Sequence, residues 1–173
     1  MSEVDLHAGQ PVSAGRVFDG VAALVRWATG LALIALVVMV CAEIVSRSFF
    51  SHSLKVVEEL AGYLVVGLTL FGASLSLRSN SLFQVGFVLH ALPAGLQRAF
   101  NVLFQLISLG VCGVLIWQTA KLVMSSYARG NVAPTTLMTP LWIPQLLVPL
   151  GLSMIAIFII EHLIVTLRAK RAE

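Results

Sequence analysis

Long stretches with almost no charged residues constrain the fold of this chain more than any other feature. They cover residues 27–46, 60–77, 99–120 and 130–160, and Glu43 is the one charge inside them. A helix needs about 20 apolar residues to cross about 30 Å of hydrocarbon, because each residue adds about 1.5 Å along its axis. The first three stretches have this length, so we predict that each forms one membrane-spanning helix.

The fourth stretch is too long for one straight span, and its first part is rich in proline. Because proline has no amide donor, this composition favours an irregular approach before the helix begins. We therefore place the fourth span at 143–166. The four predicted spans are 27–46, 59–78, 99–121 and 143–166.

The overall composition agrees with a membrane location. Hydrophobic residues make up 58% of the chain and charged residues 11%, against roughly 45–50% and about 25% in soluble domains. These proportions exclude a soluble globular enzyme, a disordered protein and a disulfide-rich secreted module. The net charge of +3 comes without a basic stripe, so we expect no nucleic-acid partner. We predict an all-α integral membrane protein that forms a single membrane domain over residues 1–173, with lipid around it.

The segments outside the spans have their own character. Residues 1–25 form a predicted cytoplasmic tail that lacks the cationic start of a cleavable signal, and its last part, from about residue 14, forms an amphipathic lead-in helix. The uncharged run 79–97 contains Asn80, Gln84 and His90, which lipid disfavours strongly. We therefore predict an interfacial loop, and not a fifth span, between the second and third helices.

The distribution of Lys and Arg predicts the orientation of the chain, because cytoplasmic loops carry an excess of these residues. With both termini on one side, that side holds seven of the flanking basic residues and the other side holds four. The majority places both termini in the cytoplasm. The seven are Arg16, Arg26, Arg78, Arg98, Arg168, Lys170 and Arg171; the four are Arg47, Lys55, Lys121 and Arg129.

Glu43 is the clearest ionisable residue at membrane depth, and such residues are functional candidates by default. Arg47 lies four residues later, on the same helix face, so the two side chains can pair at the end of the first span. Three interpretations remain open. They are a structural ion pair, a site for a coupling ion or proton, and a polar contact with a partner subunit.

Further candidates flank the second span. Glu58 and Glu59 open it, where an anion stabilises a helix N-terminus by about 0.3–1 kcal/mol. Adjacent helical residues point about 100° apart, so we expect one carboxylate to face solvent or headgroups and the other to face a neighbouring helix or subunit. Arg78 closes the span. These three residues, with Glu43 and Arg47, are our candidates for partner-interface or helix-end contacts.

Patterns that carry catalysis are missing from the sequence. It has no Cys-x-x-Cys, no His-Glu-x-x-His, no Gly-x-Ser-x-Gly and no phosphate-binding glycine loop. The four histidines do not form the facing array that a haem bundle needs, so we predict no enzyme, no catalytic or cofactor-binding residue, no cofactor and no bound metal. The spans also lack the polar stripe that a channel or transporter of four helices would need. The chain is therefore predicted to support the activity of another protein.

Several short motifs, in this order, resemble the small membrane subunit of the tripartite ATP-independent periplasmic (TRAP) transporters. They begin with Ser-Arg-Ser-Phe-Phe at 46–50, Glu-Glu-Leu-Ala at 58–61 and Phe-Gly-Ala-Ser-Leu-Ser-Leu-Arg at 71–78. Ala-Leu-Pro at 91–93, Thr-Leu-Met-Thr-Pro-Leu-Trp at 136–142 and Val-Pro-Leu-Gly at 148–151 follow. The resemblance covers roughly residues 25–165. One departure is that residues 80–85 contain neither the His nor the Asp usual in that family's loop, so no role of those side chains carries over.

The resemblance implies a function and two partners. It implies a bacterial or archaeal cytoplasmic membrane, a larger permease subunit that performs sodium-coupled transport, and a periplasmic binding protein that delivers an organic acid. The small subunit would brace the large one while its transport domain moves. Two alternatives stay open at this stage: an autonomous oligomeric transporter that uses Glu43, and the small subunit of a tripartite tricarboxylate-type transporter.

Overall fold

Nearly all of the chain that the structure describes is helical. This computed structural model describes residues 15–50, 55–79, 94–134 and 138–169. Its helices are α1 (Arg16–Phe50), α2 (Lys55–Arg78), α3 (Ala94–Arg129), α4 (Trp142–Gln145) and α5 (Leu147–Ala169). Four helical segments, the last one formed by α4 and α5 together, are long and apolar enough to cross a membrane. The predicted all-α, four-span membrane protein is confirmed, and the chain is a multi-pass membrane protein.

Helix α1 is much longer than a membrane is thick. Its 35 residues extend about 50 Å at 1.5 Å per residue, against about 30 Å of hydrocarbon. The segment predicted as an amphipathic lead-in is helical and continues into the first span, since no proline interrupts the chain between Arg16 and Phe50. Residues 80–93 of the predicted interfacial loop 79–97 lie outside the described residues. The loop prediction is wrong for residues 94–97, which form the first turn of α3.

The fourth span consists of two helical pieces, and proline explains the interruption. Helix α4 ends at Gln145, Leu146 forms a turn and α5 begins at Leu147. Pro149 has no N–H to donate to the carbonyl of Gln145 four residues earlier, so one bond of a continuous helix is missing. The amide of Leu150 still donates to the carbonyl of Leu146 at 3.2 Å, which joins the two pieces.

A short hairpin connects α3 to the fourth span. Gly130, at φ +62°, ends α3 in a Schellman motif, in which the amides of Gly130 and Asn131 donate to the carbonyls of Tyr127 and Ser126. The amide of Ala133 then donates to the carbonyl of Thr139 at 2.9 Å, and the amide of Leu141 to that of Asn131 at 3.0 Å. These bonds satisfy some of the backbone groups in the described part of the irregular segment that the prolines predicted.

The helices pack in the order α1, α2, α5, α3, so their order in space differs from that in the chain. Helix α5 lies between α2 and α3, and the fourth span is the most buried of the four. Helix α1 has its main contact with α2, and among its described side chains only those of Ala22 and Val25 are buried. The apolar side chains of the outer helices therefore face the space that lipid or another protein fills.

Helices α2 and α5 approach each other closely at Gly151. A Cβ atom built on Gly151 would lie 2.5 Å from the Cβ of Leu70, which is closer than two non-bonded carbon atoms come in proteins. Glycine is required at this position because it lets the backbone of α5 approach α2. At Gly72, by contrast, an added Cβ would meet no atom within 4 Å.

We predict that Gly151→Ala destabilises the protein by about 1–3 kcal/mol, because the added methyl group forces α2 and α5 apart. Thermal unfolding in detergent would measure the loss. Gly72→Ala is the matched control, and we expect it to leave stability unchanged or slightly raised, since alanine favours helix more than glycine. Equal midpoints for Gly151→Ala and the unmodified protein would contradict this account of the interface.

Candidate functional site

Three charged side chains from three helices meet at one end of the molecule. Asp19 lies in the first turn of α1, Arg78 ends α2, and Glu161 lies eight residues before the end of α5. We call these three residues the Arg78 cluster. Arg78 retains 5% of its accessible surface and Glu161 none, so an ion pair is buried in a helix interface.

The guanidinium of Arg78 binds both carboxylates. Its Nε donates to Oε2 of Glu161 at 2.9 Å and its Nη2 donates to Oε1 of Glu161 at 3.2 Å. The same Nη2 also donates to Oδ1 of Asp19, whose side chain is about half exposed. The contact with Glu161 is the two-bond geometry that the planar guanidinium favours with a carboxylate. Arg78 thereby ties α2 to α5 and α1 to both.

The spacing of residues on α5 builds the surroundings of the cluster. Phe158 lies three residues before Glu161 and so shares its helix face. The ring of Phe158 is fully buried, and its centroid lies 5.7 Å from Cζ of Arg78, within the range of a cation–π contact. Nε2 of His162 lies 3.0 Å from the carbonyl oxygen of Leu77, one of the last carbonyls of α2 that have no partner within the helix. The end of α2 is therefore fixed by both charge and hydrogen bonding.

The energetics of the cluster follow from its burial. Moving two charges out of water costs desolvation free energy. The attraction between the charges offsets this cost only when their geometry is good and their remaining hydrogen bonds are made. Removing one partner would leave the other charged and buried, which costs about 3–5 kcal/mol in other proteins. The cluster thus fixes the relative position of three helices.

The structure separates the other predicted residues from this cluster. Glu43 lies half-buried near the far end of α1, and Arg47 is exposed one turn later. At the start of α2, Glu58 is exposed, while Glu59 is half-buried and accepts a 2.6 Å hydrogen bond from the hydroxyl of Tyr63. Of the five candidates, Arg78 alone belongs to the cluster. Partner contacts of Glu43, Arg47, Glu58 and Glu59 stay a prediction.

Sequence reasoning missed two members of the cluster. Glu161 directly follows the uncharged stretch 130–160 and lies inside the predicted span 143–166, yet it is not among the predicted site residues. A carboxylate inside a span is itself a signal, since such groups occur where a partner compensates them. Asp19 lies in the segment 1–25 that the sequence predicts as tail and lead-in helix, and no pattern in the sequence indicates that α1 brings it to Arg78. Within the described residues, no group of three or more His, Cys, Asp or Glu side chains could hold a metal ion.

Comparison with known proteins gives two similarities. The family model described as the DctQ component of tripartite ATP-independent periplasmic transporters matches residues 36–169. The chain is also similar to the ectoine TRAP transporter small permease protein TeaB of Halomonas elongata. The two are 24% identical over 150 residues, which is 87% of this chain and 77% of that protein. The family match includes Arg78 and Glu161, whereas Asp19 lies before it.

We predict that Glu161→Gln lowers the stability of the protein by about 3–5 kcal/mol, because it leaves the guanidinium of Arg78 buried with its main counter-charge removed. Thermal unfolding in detergent would measure this. The double variant Arg78→Met, Glu161→Leu removes both charges and should recover most of the loss. A double variant that is less stable than Glu161→Gln would contradict the assignment of the cost to an uncompensated charge.

Proposed function

Because this chain belongs to the DctQ component family of the tripartite ATP-independent periplasmic transporters, we propose that it braces the large permease subunit of such a system. The chain is a small TRAP permease subunit. In the proposed system the large subunit carries the solute, and a periplasmic binding protein delivers it. The small subunit holds the fixed part of the assembly in the membrane while the transport domain of the large subunit moves.

The Arg78 cluster is the observation that carries this proposal. The buried charge of Glu161 is compensated by Arg78 within the same chain, so this pair serves to join helices. A brace needs a fixed register between its helices, and a buried, two-bond ion pair disfavours sliding because any shift would separate the charges. The close contact of Gly151 with Leu70 opposes movement of the same helix pair.

The apolar outer helices support a role within a larger membrane assembly. Residues such as Ile34 (62% exposed) on α1 and Val114 (62% exposed) on α3 lie on surfaces that no other helix of the described chain covers. In a membrane these surfaces contact lipid or another subunit. A subunit that braces a partner needs an exposed apolar surface that the partner can contact, and its own helices must keep their packing.

We propose sodium-coupled import of an organic acid as the activity of the complete system. The name of the Halomonas elongata relative assigns ectoine to that transporter, and we place the choice of substrate in the binding protein and the large subunit. We further propose the bacterial cytoplasmic membrane as the location, with both termini in the cytoplasm. The start of α1 and the end of α2 meet at the Arg78 cluster, so Arg16, Arg26 and Arg78 lie toward one side, as the excess of basic residues on the cytoplasmic side requires.

We predict that this chain, reconstituted alone in liposomes, catalyses no uptake. Liposomes that contain this chain, the large permease subunit and the binding protein should take up the substrate when an inward sodium gradient is imposed. Radiolabelled substrate would measure both cases. Liposomes with the large subunit and binding protein but without this chain are the matched control, and we expect little uptake from them because the large subunit lacks its brace.

Uptake by this chain alone would contradict the proposal and favour an autonomous transporter. In that case Glu43→Gln would test whether Glu43 is the coupling carboxylate, since the substitution keeps the size of the side chain and removes its charge. If uptake by the complete system did not depend on sodium, sodium would not be the coupling ion. The proposed bracing role would be unaffected by that result.

We also predict that Glu58→Ala weakens the association with the large subunit about five-fold, which corresponds to about 1 kcal/mol. The carboxylate of Glu58 is exposed at the start of α2, where it can reach a neighbouring protein. Glu59→Ala should weaken association similarly, and Tyr63→Phe is its control because it removes the hydrogen bond to Glu59 but keeps the charge. Affinity capture of the co-expressed subunits would compare the variants; unchanged capture would leave only a helix-end role for both carboxylates.

A further inference from the structure

A cleft between α1 and α2 lies beside the Arg78 cluster and has no role in the bracing function. Its volume is about 230 Å³. Helix α1 contributes Ala22 and Arg26 to its walls, and the end of α2 contributes Leu75, Ser76, Arg78 and Ser79. The lining thus combines two arginines and two serines with apolar residues.

The limits of the uncharged stretches of α1 and α2 indicate that the cleft lies near the level where the hydrocarbon of the bilayer ends. Arg26 directly precedes the uncharged stretch of α1, and Arg78 directly follows the uncharged stretch of α2. Long basic side chains at such positions extend toward the headgroup layer. A molecule that enters the cleft from the side therefore enters it from the headgroup region of one leaflet.

The two arginines of the cleft differ in their charge balance. Arg78 is already bound to Glu161 and Asp19. Arg26 is exposed and forms no hydrogen bond or ion pair with another described side chain. A guanidinium offers a fork of N–H donors that matches two phosphate oxygens. Arg26 is therefore the group in the cleft that is available to an anion.

The neighbouring carboxylates limit the charge that the cleft tolerates. Asp19 and Glu161 together carry one more negative charge than Arg78 neutralises, so they lower the positive potential beside Arg26. A phosphodiester carries one negative charge, whereas a phosphate monoester or free phosphate carries about −1.5 to −2 near neutral pH. The charge balance therefore favours a phosphodiester, which in a membrane is the linkage of a phospholipid.

We propose that this cleft binds the phosphodiester headgroup of a membrane phospholipid, with Arg26 as the residue that contacts the phosphate. The acyl chains of this lipid would lie against the apolar residues of α1 and α2 toward the middle of the bilayer. The bound lipid would fill the gap beside α1, whose buried side chains in the described structure are only Ala22 and Val25.

Native mass spectrometry of the full-length chain in detergent would test this proposal, with phosphatidylglycerol added as the probe. We expect one lipid to be retained by the unmodified protein and Arg26→Gln to weaken its binding about ten-fold, since a charge-assisted pair is lost. Arg16→Gln is the matched control, because Arg16 is exposed on the same helix and in the same leaflet but outside the cleft. It should retain the lipid.

Further experiments test whether the bound phosphate belongs to a lipid and whether each variant is folded. Diacylglycerol, which lacks a phosphate, should not be retained, and millimolar inorganic phosphate should not displace the phospholipid. Arg26→Lys should bind with intermediate affinity, and thermal unfolding would show that each variant is folded. Equal retention by Arg26→Gln and the unmodified protein, equal loss in Arg16→Gln, retention of diacylglycerol, or displacement by free phosphate would each overturn the proposal.

Discussion

Arg78 and Glu161 are charged groups held away from water, and their mutual bonds constrain the arrangement of α2 and α5. A guanidinium and a carboxylate form two bonds at once only in a few relative orientations, so the pair restricts the register of the two helices where it forms. Asp19 extends this constraint to α1, which otherwise has little buried surface. The packing order α1, α2, α5, α3 therefore depends, at one end, on a few polar contacts.

Apolar burial alone could not set this arrangement in a membrane. Lipid tails are as apolar as leucine, so helices gain little by exchanging lipid contacts for contacts with each other. Specific association then requires close backbone approach or polar bonds between helices. The structure contains both between α2 and α5: the contact of Gly151 with Leu70 and the bonds of the Arg78 cluster. These contacts fix the relative position of the two helices, which is what the bracing role that we propose requires.

Family membership and structure constrain the function in different ways. The DctQ match shows that the chain is a component of a tripartite transporter, and the relative from Halomonas elongata shows that such a subunit can belong to an ectoine system. The structure shows, in addition, which charged side chains of this chain are buried and how they pair. The pairing of Glu161 with Arg78 is a structural use of a carboxylate inside a predicted span, which by itself would have suggested transport chemistry.

The sequence by itself determined the four spans, the irregular proline-rich approach to the last one, and the membrane class, because lipid forces every backbone donor to be satisfied within a helix. It also indicated the family through ordered motifs. It did not show that Asp19, Arg78 and Glu161 meet, nor that Gly151 lies against Leu70, because both facts depend on how helices far apart in the chain are rotated and aligned. Hydropathy reports how a residue interacts with lipid; only the tertiary structure decided which residue each charge faces.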